Sequence, residues 1–422
     1  MVKTMDKLII NGGKKLTGVV EVNGSKNAAL PILTAALLTD EKCIIENVPD
    51  LRDIDTVVAL LENLGKKIIR KNKEVQVYAS GILHSKAPYS QVKKIRASIL
   101  VMGPLLARLG HAEASLPGGC AIGSRPINLH LDGFRKMGAK ISIEGGYVFL
   151  KSARLKGANI YLDFPSVGAT ENLMLAAVCA SGKTVIENAA CEPEISDLAD
   201  MLSKMGSCIK GAGTSIVEIE GKASLKGARH TVIPDRIEAG TFMVAAAITR
   251  GDVLVKNARP GHMEAFIGKL RDSGVSVSVA GNDIRIRATK SLKSQDIKTS
   301  PFPGFPTDMQ AQWMALMSTV KGSSIITEAV FENRFLHVAE LCRMGADIQV
   351  EGNSAFIKGV GRLSGAPVMA SDLRASAALV IAGLFAGGKT EISRVYHLDR
   401  GYEKIENKLR KLGADIKRVK DN

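Results

Sequence analysis

Apolar residues cluster along the chain in a repeating order. Six Ala-rich runs, at residues 27–38, 97–109, 171–180, 238–249, 309–320 and 375–385, are apolar on all sides of a helical wheel and predict buried helices. Each run is followed by a turn and a short strand, as in Gly182-Lys-Thr-Val-Ile-Glu-Asn, Gly251-Asp-Val-Leu-Val-Lys-Asn and Gly388-Lys-Thr-Glu-Ile-Ser-Arg. A second phrase keeps step with them: Asn63-Leu-Gly-Lys-Lys-Ile, Lys136-Met-Gly-Ala-Lys-Ile, Lys204-Met-Gly-Ser-Cys-Ile, Asp272-Ser-Gly-Val-Ser-Val, Arg343-Met-Gly-Ala-Asp-Ile and Lys411-Leu-Gly-Ala-Asp-Ile. It reads as a helix end, a glycine cap and a strand start. The glycines Gly65, Gly138, Gly206, Gly274, Gly345 and Gly413 stand about 70 residues apart, so the chain reads as six copies of one α/β unit.

Units of that length exceed solenoid repeats, so three around a shared core predict one domain and six predict two. A chain of 422 residues is also too long for one ordinary core. Leu8-Ile-Ile-Asn-Gly-Gly-Lys-Lys-Leu-Thr-Gly resembles Phe356-Ile-Lys-Gly-Val-Gly-Arg-Leu-Ser-Gly, so the N-terminus is expected to complete the lobe built mainly from the C-terminal half. The expectation is a bilobed α/β protein with crossings near Asn23 and Ile233. Residues 1–23 and 234–422 are expected to form one discontinuous domain, and residues 24–233 a second that contains Cys120.

The longest apolar runs fall short of the roughly 20 residues that span a bilayer. Leu8 to Ile10 is too short for a signal-peptide core, so a cytoplasmic protein without membrane attachment is expected. Six cysteines without a CxxC pair and seven histidines without HExxH spacing support neither a metal site nor a disulfide framework, and no cofactor is expected. A net charge of +15 suits nucleic acid, acidic surfaces or anionic small substrates alike. Basic residues are spread over every unit, and one tryptophan with six tyrosines leaves little stacking surface, so nucleic acid is not expected as a partner. A monomer is the favoured state.

The beginnings of the buried runs carry residues that apolar helices do not need: Lys26 and Asn27, Arg96, Thr170 and Glu171, Asp235 and Arg236, Thr307 and Asp308, Asp372 and Arg374. Helix starts present unpaired N–H groups and positive potential, which suit phosphate and carboxylate ligands. Capping and interhelical pairing account equally well for Asp235 with Arg236 and for Asp372 with Arg374. They do not account for Lys26, which has no acceptor to offer an N–H. Among the loops that close the units, Leu116-Pro-Gly-Gly-Cys-Ala-Ile-Gly-Ser-Arg-Pro stands apart, because glycines flank Cys120 and Arg125 follows, conditions that favour thiolate character. Cys43, Cys179, Cys208 and Cys342 fall in apparent strands or helices and read as small core residues, and Cys191 lacks the glycine setting. Gly383-Leu-Phe-Ala-Gly-Gly-Lys-Thr matches the phosphate-loop letters, but a helix precedes it and a strand follows, the reverse of what that motif needs.

Taken in order, Gly24-Ser-Lys-Asn-Ala-Ala, Arg96-Ala-Ser, the Cys120 loop, Ser166-Val-Gly-Ala-Thr, Pro234-Asp-Arg-Ile-Glu-Ala-Gly, Phe305-Pro-Thr-Asp-Met-Gln, Phe331-Glu-Asn-Arg, Asp372-Leu-Arg-Ala-Ser and Asp399-Arg-Gly-Tyr resemble the UDP-N-acetylglucosamine enolpyruvyl transferases of the EPSP synthase superfamily over essentially the whole chain. The resemblance implies a two-domain inside-out α/β barrel. It also implies transfer of the enolpyruvyl group of phosphoenolpyruvate to the 3-hydroxyl of UDP-N-acetylglucosamine with release of phosphate, the first committed step of peptidoglycan synthesis. Such chemistry needs two opposed proton carriers, one for the methylene carbon and one for the sugar hydroxyl.

By resemblance Cys120 is the acid, able to hold phosphoenolpyruvate as a covalent adduct and open to alkylation by fosfomycin, and Asp308 is the base. Lys26, Arg125 and Arg400 are the matching cations for phosphate and carboxylate, and Asn27 positions the substrate. The matching positions for UDP-N-acetylglucosamine are Arg96, Arg125, Pro126, Ile127, Asn128, Leu129, Phe164, Pro165, Ser166, Val167, Asp308 and Val330, with Arg334 and Arg374 as further pocket cations. Phe164 departs from relatives that place a lysine there, so no charged diphosphate contact is expected at that point. The sister enzyme acting on shikimate 3-phosphate is the nearest alternative, but it lacks a cysteine acid, and its Gly-Asn-Ala-Gly-Thr motif does not occur here.

Overall fold

The computed structural model describes residues 6–116, 127–288 and 291–421. They fold into six four-stranded mixed sheets of one design, in which the first pair of strands is parallel and the next two pairs are antiparallel. In one of them Arg229–Thr231 pairs with Cys43–Glu46, which pairs with Glu74–Ala79, which closes a hairpin with Lys66–Lys71. The six recurring glycines all adopt positive φ, from 87° to 101°. Each ends an amphipathic helix, with its N–H returning to a carbonyl three residues back, as in Gly65 to Glu62 and Gly413 to Arg410 at 3.0 Å. Glycine is required there because a side chain would be strained in the left-handed turn that redirects the chain into the next strand.

Two compact units result, one from residues 24–116 and 127–233 and the other from residues 6–23 and 234–421, each with its own apolar core. In the first, the segments Lys26–Ala35, Arg96–Val101 and Val167–Ala177 pack pairwise against one another. In the second, the helices Arg236–Ile248, Gln310–Met317 and Leu373–Phe385 do the same. These helices are buried almost throughout, whereas the strands alternate buried and exposed residues, so helices form the interior of each unit and sheets its skin.

The strand Asp6–Asn11 lies between Lys389–Ser393 and Asp415–Lys420, antiparallel to both. Ser354–Lys358 holds the same place in its own sheet. The glycines after these two strands meet backbone so closely that a Cβ would lie 2.2 Å from Ala386 O at Gly12 and 1.7 Å from Val320 O at Gly359.

Three of the buried runs carry a 3-10 segment, and in the first of them Ala36–Leu38 follows the α-helix Lys26–Ala35 as one. Residues 96–101 form a 3-10 turn and the α-helix starts only at Met102. Pro104, which has no N–H to donate, thereby falls in the first turn, where none is needed. Thr307–Met309 is likewise a 3-10 turn ahead of Gln310–Met317, which ends before Val320. No helix among the described residues is long and apolar enough to cross a membrane.

Candidate active site

In the unit of residues 24–233, Ser25 caps the helix Lys26–Ala35, its side chain accepting from Ala28 N at 3.3 Å. Lys26 is therefore the first helical residue and not the cap. Its Nζ lies 3.2 Å from Asp53 Oδ2, and both side chains are largely withdrawn from solvent, at 13% and 3% exposure. Asn27 follows, and Pro31 in the same helix withholds the N–H that would otherwise bond the Asn27 carbonyl. Arg96 opens its 3-10 turn half-buried.

Ser166 caps the helix Val167–Ala177 by accepting from Ala169 N at 3.3 Å, and its own N–H donates to Phe164 O at 2.7 Å. Phe164 is exposed, Pro165 is half-buried, and Val167 packs against the core. Ile127 is buried ahead of the helix Asn128–Lys136, its carbonyl accepting from His130 N and Leu131 N, while Asn128 is exposed and Leu129 packs on the core. Helix beginnings of this kind supply N–H groups and positive potential to an anion. Cys120, Arg125 and Pro126 lie outside the described residues.

Thr170 and Glu171 prove to be interior residues, since the Ser166 cap starts their helix four residues earlier than the apolar run suggests. Thr170 Oγ1 accepts from Ala190 N at 3.0 Å. Burial, and then the carboxylates Glu194 and Glu192, hold Glu171 well above the ordinary glutamate value. The capping alternative accounts for Asp235, which accepts from Ile237 N and Glu238 N, and for Asp372, which accepts from Arg374 N and Ala375 N.

In the other unit Asp308 is gripped from two sides. Arg334 Nη2 donates to its Oδ1 at 2.6 Å and Arg374 Nη2 to its Oδ2 at 2.7 Å, both arginines being buried and Asp308 26% exposed. Burial pushes the Asp308 carboxyl upward, but Arg374 and Arg334 outweigh it and hold it well below the usual carboxylate range. Glu328, absent from the sequence expectations, organises the surroundings. It accepts from Thr299 Oγ1 at 2.7 Å, Thr307 Oγ1 at 2.8 Å and Val330 N at 2.9 Å, while Arg334 Nη1 donates to Thr307 Oγ1 at 2.8 Å. A carboxylate two residues ahead of Val330 in a loop was the available signal, because such a residue can satisfy the loop's own N–H groups. Arg374 Nη1 also donates to Tyr402 OH at 3.2 Å, and Arg400 ends the 3-10 segment Val395–Arg400, half-buried.

The described cysteines are all free. Burial raises the Cys43 thiol, takes Cys179 up to about 11, and with Glu192 raises Cys191, so none of these three is poised as a thiolate. Cys208 and Cys342 are exposed rather than small core residues, because each faces outward from its strand or helix. The phosphate-loop lookalike runs from the helix Leu373–Phe385 into the strand Lys389–Ser393. Among the described residues no group of three or more His, Cys, Asp or Glu is placed to hold a metal ion.

Comparison with known proteins gives this arrangement a lineage. The family model EPSP synthase (3-phosphoshikimate 1-carboxyvinyltransferase) matches residues 10–409. The UDP-N-acetylglucosamine 1-carboxyvinyltransferase of Desulfosudis oleivorans is 58% identical over 98% of this chain and 100% of its own length. That of Endomicrobium trichonymphae is also 58% identical, over 98% of this chain and 99% of its own. Among solved structures, the enolpyruvyl transferase NikO from Streptomyces tendae matches with a TM-score of 0.89 at 26% identity, covering 99% of this chain and 100% of that one. An EPSP synthase from Acinetobacter baumannii, at 22% identity and a TM-score of 0.75 over 99% of this chain and 100% of its own, shares the fold. With helices inside and sheets outside in each unit, and with identity of this extent from end to end, the chain belongs to the EPSP synthase family, in its UDP-N-acetylglucosamine 1-carboxyvinyltransferase branch.

Proposed function

We propose that the chain transfers the enolpyruvyl group of phosphoenolpyruvate to the 3-hydroxyl of UDP-N-acetylglucosamine and releases phosphate, the committing reaction of peptidoglycan synthesis. The observation that carries this reading is the 56–58% identity to UDP-N-acetylglucosamine 1-carboxyvinyltransferases, against 22% for the solved EPSP synthase. Both substrates are anions, which a net charge of +15 favours.

In this reading the Cys120 thiol protonates the methylene carbon of phosphoenolpyruvate while the sugar oxygen attacks the neighbouring carbon and gives its proton to Asp308. Loss of a proton from the new methyl group and of phosphate then restores the enol ether. Lys26, Arg125 and Arg400 hold the phosphate and carboxylate, Asn27 orients them, and Asp53 keeps Lys26 aimed. Arg96, Arg125, Pro126, Ile127, Asn128, Leu129, Phe164, Pro165, Ser166, Val167, Val330, Arg334 and Arg374 serve the nucleotide sugar. Ile127 and Leu129 pack into the core, so their contribution comes through the backbone. A carboxylate clamped by two arginines is a weak base, so the nucleotide sugar draws one of them off Asp308 as it binds. The enzyme works in the cytoplasm as a monomer without a cofactor, and the unit that holds Asp308 and Arg400 is the catalytic domain.

The deciding measurement is phosphate release from phosphoenolpyruvate in the presence of UDP-N-acetylglucosamine, beside Cys120→Ala and with shikimate 3-phosphate as the competing acceptor. Turnover with the nucleotide sugar alone, lost in Cys120→Ala, is expected, and fosfomycin should alkylate the wild-type thiol. Equal turnover with shikimate 3-phosphate, or a fully active Cys120→Ala, would sink the assignment.

A further inference from the structure

Arg418 lies on the C-terminal strand Asp415–Lys420, opposite Leu8, with its side chain 22% exposed. Its guanidinium meets Asp399 as a fork, Nη2 to Oδ1 at 2.7 Å and Nη1 to Oδ2 at 3.1 Å. The same group donates to Glu406, Nε to Oε1 at 2.9 Å and Nη2 to Oε2 at 3.3 Å, with Asp6 Oδ2 at 3.6 Å. Asp399 directly precedes Arg400 at the end of Val395–Arg400, and Glu406 stands in the first turn of the helix Ile405–Lys411. One planar cation therefore grips both ends of the loop that begins with Arg400.

That loop has no strand ladder of its own. Gly401 N and Tyr402 N fold back onto Leu398 O at 3.1 and 3.0 Å, and Lys404 takes a left-handed φ of 43°, unusual for a lysine. Such a backbone holds its shape only when its surroundings over-determine it.

We propose that Arg418 is a positioning residue for Arg400, a role that rests on the phosphoenolpyruvate-binding function given to Arg400 above. Two parallel donors on each carboxylate fix direction as well as distance, which a lysine ammonium does not do. An Asp399 carboxylate already paired with Arg418 also competes less strongly with the substrate anion for the Arg400 guanidinium.

The test combines kinetics with amide hydrogen exchange on Arg418→Gln and Arg418→Lys of the full chain, with Asp399→Asn as the opposite side of the same contact should either fold poorly. Both Arg418 variants are expected to raise KM for phosphoenolpyruvate by about tenfold, the scale of a lost charge-assisted contact. KM for UDP-N-acetylglucosamine should move by less than about twofold, and amides 400–404 should lose protection. Combined with Arg400→Lys, the effects should be less than additive, since both act through one group. Asp252→Asn, which removes the exposed pairs with Arg285 and Arg287 in the same unit, controls for a general loss of stability and should leave KM unchanged. Unaltered exchange across residues 400–404, or a KM effect that multiplies in full with Arg400→Lys, overturns the proposal. Should Arg400→Lys itself leave KM for phosphoenolpyruvate untouched, the role of Arg400 falls, and exchange over residues 400–404 decides alone whether Arg418 orders the loop.

Discussion

Arg374 reaches Asp308 across 2.7 Å with one nitrogen and Tyr402 OH across 3.2 Å with another, so the carboxylate read as the base is tied to the loop that follows Arg400. Tyr402 OH in turn meets Thr241 Oγ1 at 2.8 Å, which extends the chain of contacts from Asp308 to the helix Arg236–Ile248. A substrate that draws Arg374 away from Asp308 therefore acts on the backbone beside Arg400 as well as on the basicity of the carboxylate.

Removing either arginine should make Asp308 a stronger base. Its carboxyl is depressed in the folded protein, so it contributes stability above the unfolded value near 3.8, and that contribution is lost as pH falls through the lower folded value. In Arg374→Gln or Arg334→Gln the acid limb of kcat/KM should move to higher pH, and acid unfolding should begin at higher pH. A pH–rate profile and a melting series at falling pH check both. An acid limb that stays in place in both variants would remove Asp308 from the titrating step.

Lys26 depends on Asp53 in a comparable way. The pair is nearly buried, so replacing Asp53 by Asn leaves a cation in a poorly solvated place, at a cost of about 2–3 kcal/mol. Denaturant titration should show that loss, and KM for phosphoenolpyruvate should rise together with it. A variant of unchanged midpoint and unchanged KM would mean that Asp53 neither steadies nor aims Lys26.

Lys26 and Asp53 also mark what could be read from the sequence and what could not. Lys26 stands out locally, as a lysine at a helix start where Ser25 already supplies the cap. Asp53 does not, because it sits in the first turn of the helix Arg52–Asn63, where any acidic residue suits the dipole, and its contact with Lys26 joins two different helices. The six-fold cadence was legible because each glycine cap must recur wherever the backbone makes the same left-handed turn. The 3-10 turn at Arg96 was hidden because it follows from Pro104, eight residues on, and the interior position of Glu171 because Ser166 caps its helix ahead of the apolar run. Glu328 gathers Thr299, Thr307 and Arg334, whose convergence only the folded chain creates.

Two helical glycines should respond oppositely to alanine. A Cβ at Gly103 would lie 2.4 Å from Asn172 O and 2.7 Å from Asn172 Oδ1, which already accepts from Gly103 N at 2.8 Å. Gly103→Ala must separate two packed helices and should cost about 2–3 kcal/mol. At Gly268, in the helix Glu264–Asp272, nothing lies within 4 Å of an added Cβ, and alanine should gain about 0.5–1 kcal/mol by restricting the unfolded chain. Thermal melts of the two variants side by side test the close approach at Gly103, and equal melting temperatures would contradict it.

Glu171 should show a pH dependence of the sign opposite to that of Asp308. It is 5% exposed in the helix Val167–Ala177, and burial, followed by Glu194 and Glu192, raises its carboxyl well above the ordinary 4.5. Between the unfolded and the folded value the native state binds the extra proton, so the contribution of this group is present at low pH and is lost as pH rises through the folded value. At alkaline pH folding must either carry a buried carboxylate beside two others or take up a proton from solution, and each costs stability. Glu171→Gln keeps the shape and removes the charge, so it should raise the melting temperature in alkaline buffer and change it little near pH 5. A series of melts for wild type and variant between those limits would display the difference as a widening gap. A variant that melts lower at alkaline pH would overturn the reading of Glu171 as a buried carboxyl strained by its ionisation.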